Sequence, residues 1–179
     1  MIELLGAATA EKFQMPSLDY HQISPILVVL LMAVVSVLVE AFVPRAHRRN
    51  VQLVLTFGTL IVAFILVVTL AGQRALAAAG AIAVDGPALF LQGTVLLLAL
   101  MAALLVAEKG IDSAGDAFAA RPNALPGSVD EREFTKRGWL TTEIWPLYLF
   151  SVGGMLLFVT GSDLLILFVG LEVMSLPLY

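Results

Sequence analysis

Polar residues are sparse along this chain, and they fall in short groups that divide it into long apolar runs. A helix needs roughly 20 mostly apolar residues, at about 1.5 Å of rise each, to cross a hydrocarbon layer about 30 Å thick. Four runs qualify, over residues 24–43, 51–71, 87–107 and 143–160, and a fifth opens at Asp163 and is still apolar at Tyr179. Apolar residues are continuous within each run instead of alternating over segments of about ten, which predicts helices and not the strands of a membrane barrel. Leu, Ala, Val and Gly dominate them, the vocabulary of packed membrane helices. The predicted fold is therefore all-α: a polytopic transmembrane bundle of four complete spans and a fifth, over 163–179, that is cut short. Pro25 is expected in the first turn of the first helix, where a helix tolerates proline. Residues 1–23 are predicted to be a tail, with an amphipathic turn around Ile2 to Leu5. Glu3, Glu11 and Asp19 face a single Lys12 ahead of the apolar run, which is not the pattern of a secretory signal.

Basic residues orient these helices. Arg45, Arg48 and Arg49 lie in the turn predicted over 44–50, and Lys109, Arg121, Arg132, Lys136 and Arg137 in the connection over 108–142; together they are eight of the ten Lys and Arg residues. Positive charge stays inside, so both connections are expected in the cytoplasm. The N-terminus, the loop over 72–86 and the Gly161–Ser162 turn are then expected outside. The 108–142 connection is too long for a simple helix–helix turn. Its Gly, Pro and Ala content predicts a mobile excursion, centred on 120–129, that serves either as a surface loop or as a docking site for a neighbouring soluble subunit. Trp139, Trp145 and Tyr148 are expected to mark the cytoplasmic interface of the fourth span.

Composition agrees with this picture. The chain is 60% hydrophobic and 13% charged, against about 45–50% and about 25% for a soluble domain. A net charge of −4, spread between loops, suggests no nucleic-acid partner. With no cysteine there is no disulfide, thiolate metal site, cysteine-bound cluster or cysteine nucleophile. His21 and His47 lie on opposite sides of the first span and do not form a shared site.

Among the acids, Glu172 carries the most information. It lies nine residues beyond Asp163, so about 13 Å along the fifth helix and near the bilayer midplane. Facing lipid, an ionised carboxylate there would cost at least about 2.5–3.5 kcal/mol, so it is expected to face protein or water and to handle protons. Ser175, three residues on, is placed to hydrogen-bond to it, and Pro177 is expected to kink the helix beside it. The alternative role is a neutral acid that glues two helices together. Asp163 follows Gly161–Ser162 and most simply caps the fifth helix. Glu143 opens the fourth helix and is either a helix-start residue or a proton entrance on the cytoplasmic side. Glu40, one turn from the end of the first span, is expected to reach the headgroup region or the Arg45 side and so to act as an anchor. Gly153 and Gly154 allow close backbone approach. There is no nucleotide loop, no dinucleotide fingerprint and no intramembrane histidine for a haem.

The stretch EIWPLYLFSVGGMLLFVTGSDLLILFVGLEVMSLPLY, over 143–179, resembles the N subunit of bacterial proton-pumping NADH:quinone oxidoreductases (respiratory complex I), most specifically over DLLILFVGLEVMSLPLY from Asp163. The DGPALFLQ segment from Asp85 to Gln92 fits less specifically. The related L and M subunits typically carry a WEL-type sequence with an Ile–Pro pair, where this chain has LEVMSLPLY. The resemblance covers the whole chain in layout and is strong over its last forty or so residues. Members resemble cation/proton antiporters with about 14 membrane helices, in which two inverted five-helix repeats follow the first three spans, a design common in transporters. It implies that the first repeat starts at the fourth span, that the sequence is the first third of a longer protein, and that it lies in the inner (plasma) membrane. It also implies that Glu172 is the fifth-helix glutamate, which pairs with a lysine on the seventh helix and modulates proton movement through the first half-channel. That lysine has no position in this sequence.

The function this implies is a membrane-arm, proton-translocating subunit. It would work beside other membrane-arm subunits in the bilayer, with protons as its transported species. No cofactor is expected in this chain; NADH, flavin, iron–sulfur clusters and quinone would be handled by partner subunits. The alternatives are a cation/proton antiporter subunit without redox chemistry and a structural membrane anchor.

Overall fold

The computed structural model describes residues 19–108 and 143–178. The expectations for the N-terminal tail up to residue 18, for the 109–142 excursion and for Trp139 lie outside the described residues. Among the described residues there are five α-helices, in chain order α1 Tyr20–Phe42, α2 Arg45–Thr69, α3 Gly86–Ala107, α4 Ile144–Thr160 and α5 Leu164–Ser175, with a short hairpin of β1 Ala75–Ala77 and β2 Ile82–Val84 between α2 and α3. The first three helices are long and apolar enough to cross a membrane; α4 and α5, at 17 and 12 residues, are shorter apolar helices. The result is an all-α membrane bundle with one small β element.

Burial follows the helical period. In α1 the covered positions include Ile23, Ile26, Val29, Ala33 and Ser36, with Pro25 beside them, and in α2 they include Gln52, Thr56, Leu60, Ala63 and Val67, with Thr59 beside them. Both sets step by three or four residues, one stripe per helix. α1 packs on α2, α2 on α3, α3 on α4 and α4 on α1, which closes a four-helix ring, and α5 packs on the outside against α4. α4 therefore touches all four of the other helices, and its residues Leu149, Val152 and Leu156 are fully covered.

Three local expectations are corrected. α1 starts at Tyr20, so Pro25 sits in the second turn instead of the first. The His21 carbonyl that its missing N–H cannot reach is taken by the Ser24 hydroxyl at 2.7 Å. The turn expected over 44–50 shrinks to Val43–Pro44: α2 begins at Arg45, so Arg48 and Arg49 are helical. Pro44, extended at φ −57° and ψ 140°, reverses the chain directly in front of the helix. Trp145 is not an interfacial anchor. It is buried in the core because α4 is wrapped by its neighbours from its first turn, and the Tyr148 hydroxyl donates to the Ala99 carbonyl of α3.

The hairpin pairs Ala75 with Val84 and Ala77 with Ile82. Its reversal runs through Ala78, Ala79 and Gly80 at φ 50°, 59° and 91°, a left-handed run that only the glycine adopts without steric cost. Ile82 bridges to Gly161, and the Ser162 N–H donates to the Ala81 carbonyl at 2.9 Å. The 72–86 loop and the Gly161–Ser162 turn are thus joined at one end of the bundle.

Candidate functional site

α5 is set by its start and by one neighbour. The Asp163 carboxylate accepts the Ile166 N–H at 2.7 Å, the cap expected from the sequence. Beyond that cap, α5 lies on α4 through paired glycines. A Cβ on Gly154 would stand 2.7 Å from Met174 Cα and 2.8 Å from the Val173 carbonyl carbon, and one on Gly170 would stand 2.8 Å from the Phe158 nitrogen. Each helix thus presents bare backbone to the other, the close packing that small residues permit between membrane helices. Gly153, on the neighbouring face of α4, admits the Leu30 side chain of α1.

With Gly170, Val173 and Met174 turned to α4, Glu172 points away, at about 100° of rotation per residue. The side chain is exposed, and so are its neighbours Leu165, Phe168, Val169 and Leu171. Glu172 was expected against protein or water; within the described chain it stands on an uncovered face of α5. Ser175 does reach back one turn, but its hydroxyl donates to the Glu172 main-chain carbonyl at 3.3 Å and not to the carboxylate. Pro177 lies just past the described part of α5. α5 ends at Ser175 and the chain tightens into a 3₁₀ turn over Leu176–Leu178, which absorbs the proline without a broken α turn. Beside it an open groove of about 560 Å³ between α1, α4 and the end of α5 is lined by apolar side chains, among them Leu27, Leu147, Phe150 and Pro177.

The remaining acids sit at helix ends. Glu143 is exposed at the start of α4 and makes no cap hydrogen bond. It lies at the end of the bundle away from the hairpin. Glu40 lies near that end too, in a polar cluster whose partner residues the sequence pattern did not reveal. Arg48 pairs with it at 2.9 Å and also donates to the Val43 carbonyl at 3.0 Å. The Gln52 amide donates to the Glu40 carboxylate at 3.1 Å and to the Ser36 carbonyl at 2.8 Å, and accepts the Ser36 hydroxyl. Glu40 is therefore an anchor, as expected, but to Arg48 and Gln52. Arg49 crosses to α3 and donates to the Ala107 carbonyl at 2.8 Å, placing a cation at a helix C-terminus. One signal was available beforehand: a glutamine at the head of the apolar run over 51–71 must find partners wherever it is buried. His21 and His47 open α1 and α2, at opposite ends of the bundle.

No family model matches the chain. Among curated proteins it is 49% identical over 183 residues to the NADH-quinone oxidoreductase subunit N of Rhodococcus opacus (strain B4), covering 92% of this chain and 34% of that one. The subunit N of Parafrankia sp. (strain EAN1pec) is 46% identical, with 98% of this chain and 34% of the relative covered. The subunit N 3 of Streptomyces griseus subsp. griseus is 44% identical, with 97% and 33% covered. The chain spans about a third of the length of the curated relatives it matches.

Proposed function

This chain belongs to the NADH-quinone oxidoreductase subunit N family over the third of the family's length that it spans, and from that premise we propose that it forms part of a membrane-arm subunit that moves protons. The observation that carries the reading is Glu172: a carboxylate about 13 Å into an apolar helix, on a face that the described helices leave open. Lipid against that carboxylate would be costly, so the face calls for a cation or water, the setting in which acids inside membranes relay protons. The resemblance supplies a lysine as that cation; no lysine lies among the described residues. Glu143 is the proposed entrance on the cytoplasmic side. The bilayer is the inner (plasma) membrane, with the N-terminus outside. NADH, flavin, iron–sulfur clusters and quinone belong to partner subunits, and this chain performs no redox step.

The test is Glu172→Gln in the complete subunit within its assembled complex, measuring vesicle acidification alongside NADH oxidation. Gln keeps the shape and the hydrogen bonds but loses the titratable proton. Assembly is expected to survive and acidification to fall sharply. Normal pumping by a fully assembled Gln variant, with assembly lost in Glu172→Ala, would leave Glu172 as helix glue. Acidification that persists without any dependence on NADH would favour an antiporter without redox chemistry.

A further inference from the structure

Ser151, midway along α4, donates its hydroxyl across the helix crossing to the main-chain carbonyl of Met174 at 3.1 Å. Pro177 has no N–H to return to the Val173 carbonyl, and the chain tightens at Leu176. The Glu172 carbonyl accepts the Leu176 N–H and the Ser175 hydroxyl, and the Met174 carbonyl accepts Ser151.

The Ser151 bond falls where the two backbones are closest, beside Gly154. Glycine contact sets how near α5 lies but has no preferred direction along or around the helix, whereas a hydrogen bond weakens steeply with misalignment. We propose that Ser151 is a positioning residue for Glu172: its bond to the Met174 carbonyl fixes the rotation and depth at which α5 presents the carboxylate. This rests on the proton-transfer reading of Glu172 given above.

Ser151→Ala, Ser151→Thr and Glu172→Gln, each in the complete subunit within its assembled complex, test it. The infrared carboxyl band that vanishes in Glu172→Gln belongs to Glu172. Ser151→Ala is expected to shift that band. It should also lower the protons pumped per NADH oxidised by about two- to twelvefold, the range one neutral hydrogen bond is worth, at unchanged subunit content. Ser151→Thr keeps the hydroxyl and is expected to restore both. An unmoved band and a normal ratio in Ser151→Ala overturn the positioning role while Glu172→Gln still stops pumping. Complexes lost in both Ser151 variants overturn it too, because Ser151 then acts in assembly. A Glu172→Gln complex that pumps normally removes the underlying reading and this inference with it.

Discussion

Gln52 uses its whole amide between α1 and α2, its oxygen taking the Ser36 hydroxyl while its nitrogen reaches the Ser36 carbonyl and the Glu40 carboxylate. Ser36 and Gln52 are both fully buried, so each removed contact leaves a polar atom with no water to replace it. Polar pairs between membrane helices are worth less than vacuum arguments suggest, because the separated helices also find partners. Weighing the two, Gln52→Leu is expected to cost about 1–2 kcal/mol, read as an earlier unfolding midpoint when dodecyl sulfate is titrated into mixed micelles. Adding Ser36→Ala is expected to return part of that loss, since the orphaned hydroxyl goes too; full additivity of the two changes would argue against a coupled pair. Asp163 was legible because a cap is a local pattern, a short acid three residues ahead of the N–H it binds. The Gln52 partners were not, because they lie 12 and 16 residues away and depend on how two helices rotate against each other. Glu172 was half legible. Helical periodicity gives its angle to Asp163, but what covers a face is a property of neighbours.

At the scale of the elements, α4 and α5 meet through glycines whose surroundings differ sharply from those of glycine elsewhere in the bundle. A Cβ on Gly154 would collide with α5 backbone, which cannot rotate aside as a side chain would. Gly93 of α3 is the control: its Cβ would meet Phe64 and Val67 at 3.9 Å, ordinary contact. Gly154→Ala is therefore expected to destabilise by about 1–3 kcal/mol as α5 is pushed off. Gly93→Ala is expected to be neutral or to stabilise by up to about 1 kcal/mol through helix propensity. The same detergent unfolding assay compares them, and equal effects would mean that the α4–α5 approach is looser than described. The long apolar runs made α1, α2 and α3 easy to find, with starts shifted by a few residues because Pro25 and Pro44 act differently in context. The hairpin was hidden. ALAAAGAIAV has little β propensity, and its strands exist because Ala77, Ile82 and Val84 are buried against the bundle end.

Over the whole molecule, charge is sorted by end. Arg48 and Arg49, with Glu40, Glu108 and Glu143, gather where α1 finishes, α2 begins, α3 finishes and α4 begins, while the hairpin end carries Arg74 and the capping acids Asp85 and Asp163. Arg48 is tied to the α1 terminus and Arg49 to the α3 terminus, so these cations cannot move to the other end without breaking helix–helix bonds. If positive charge stays inside, the Arg48 end faces the cytoplasm and the hairpin faces out. These 179 residues contain no cysteine, so a single thiol introduced here is distinguished by its gain over labelling of the unsubstituted protein. Arg74 is exposed between α2 and the hairpin, and Ser128 lies in the basic 108–142 connection. With a membrane-impermeant maleimide on sealed right-side-out vesicles, Arg74→Cys is expected to label and Ser128→Cys to label only after permeabilisation. Inverted vesicles should reverse the pattern. Labelling of both from one side would sink the orientation, and with it the cytoplasmic placement of Glu143 as a proton entrance.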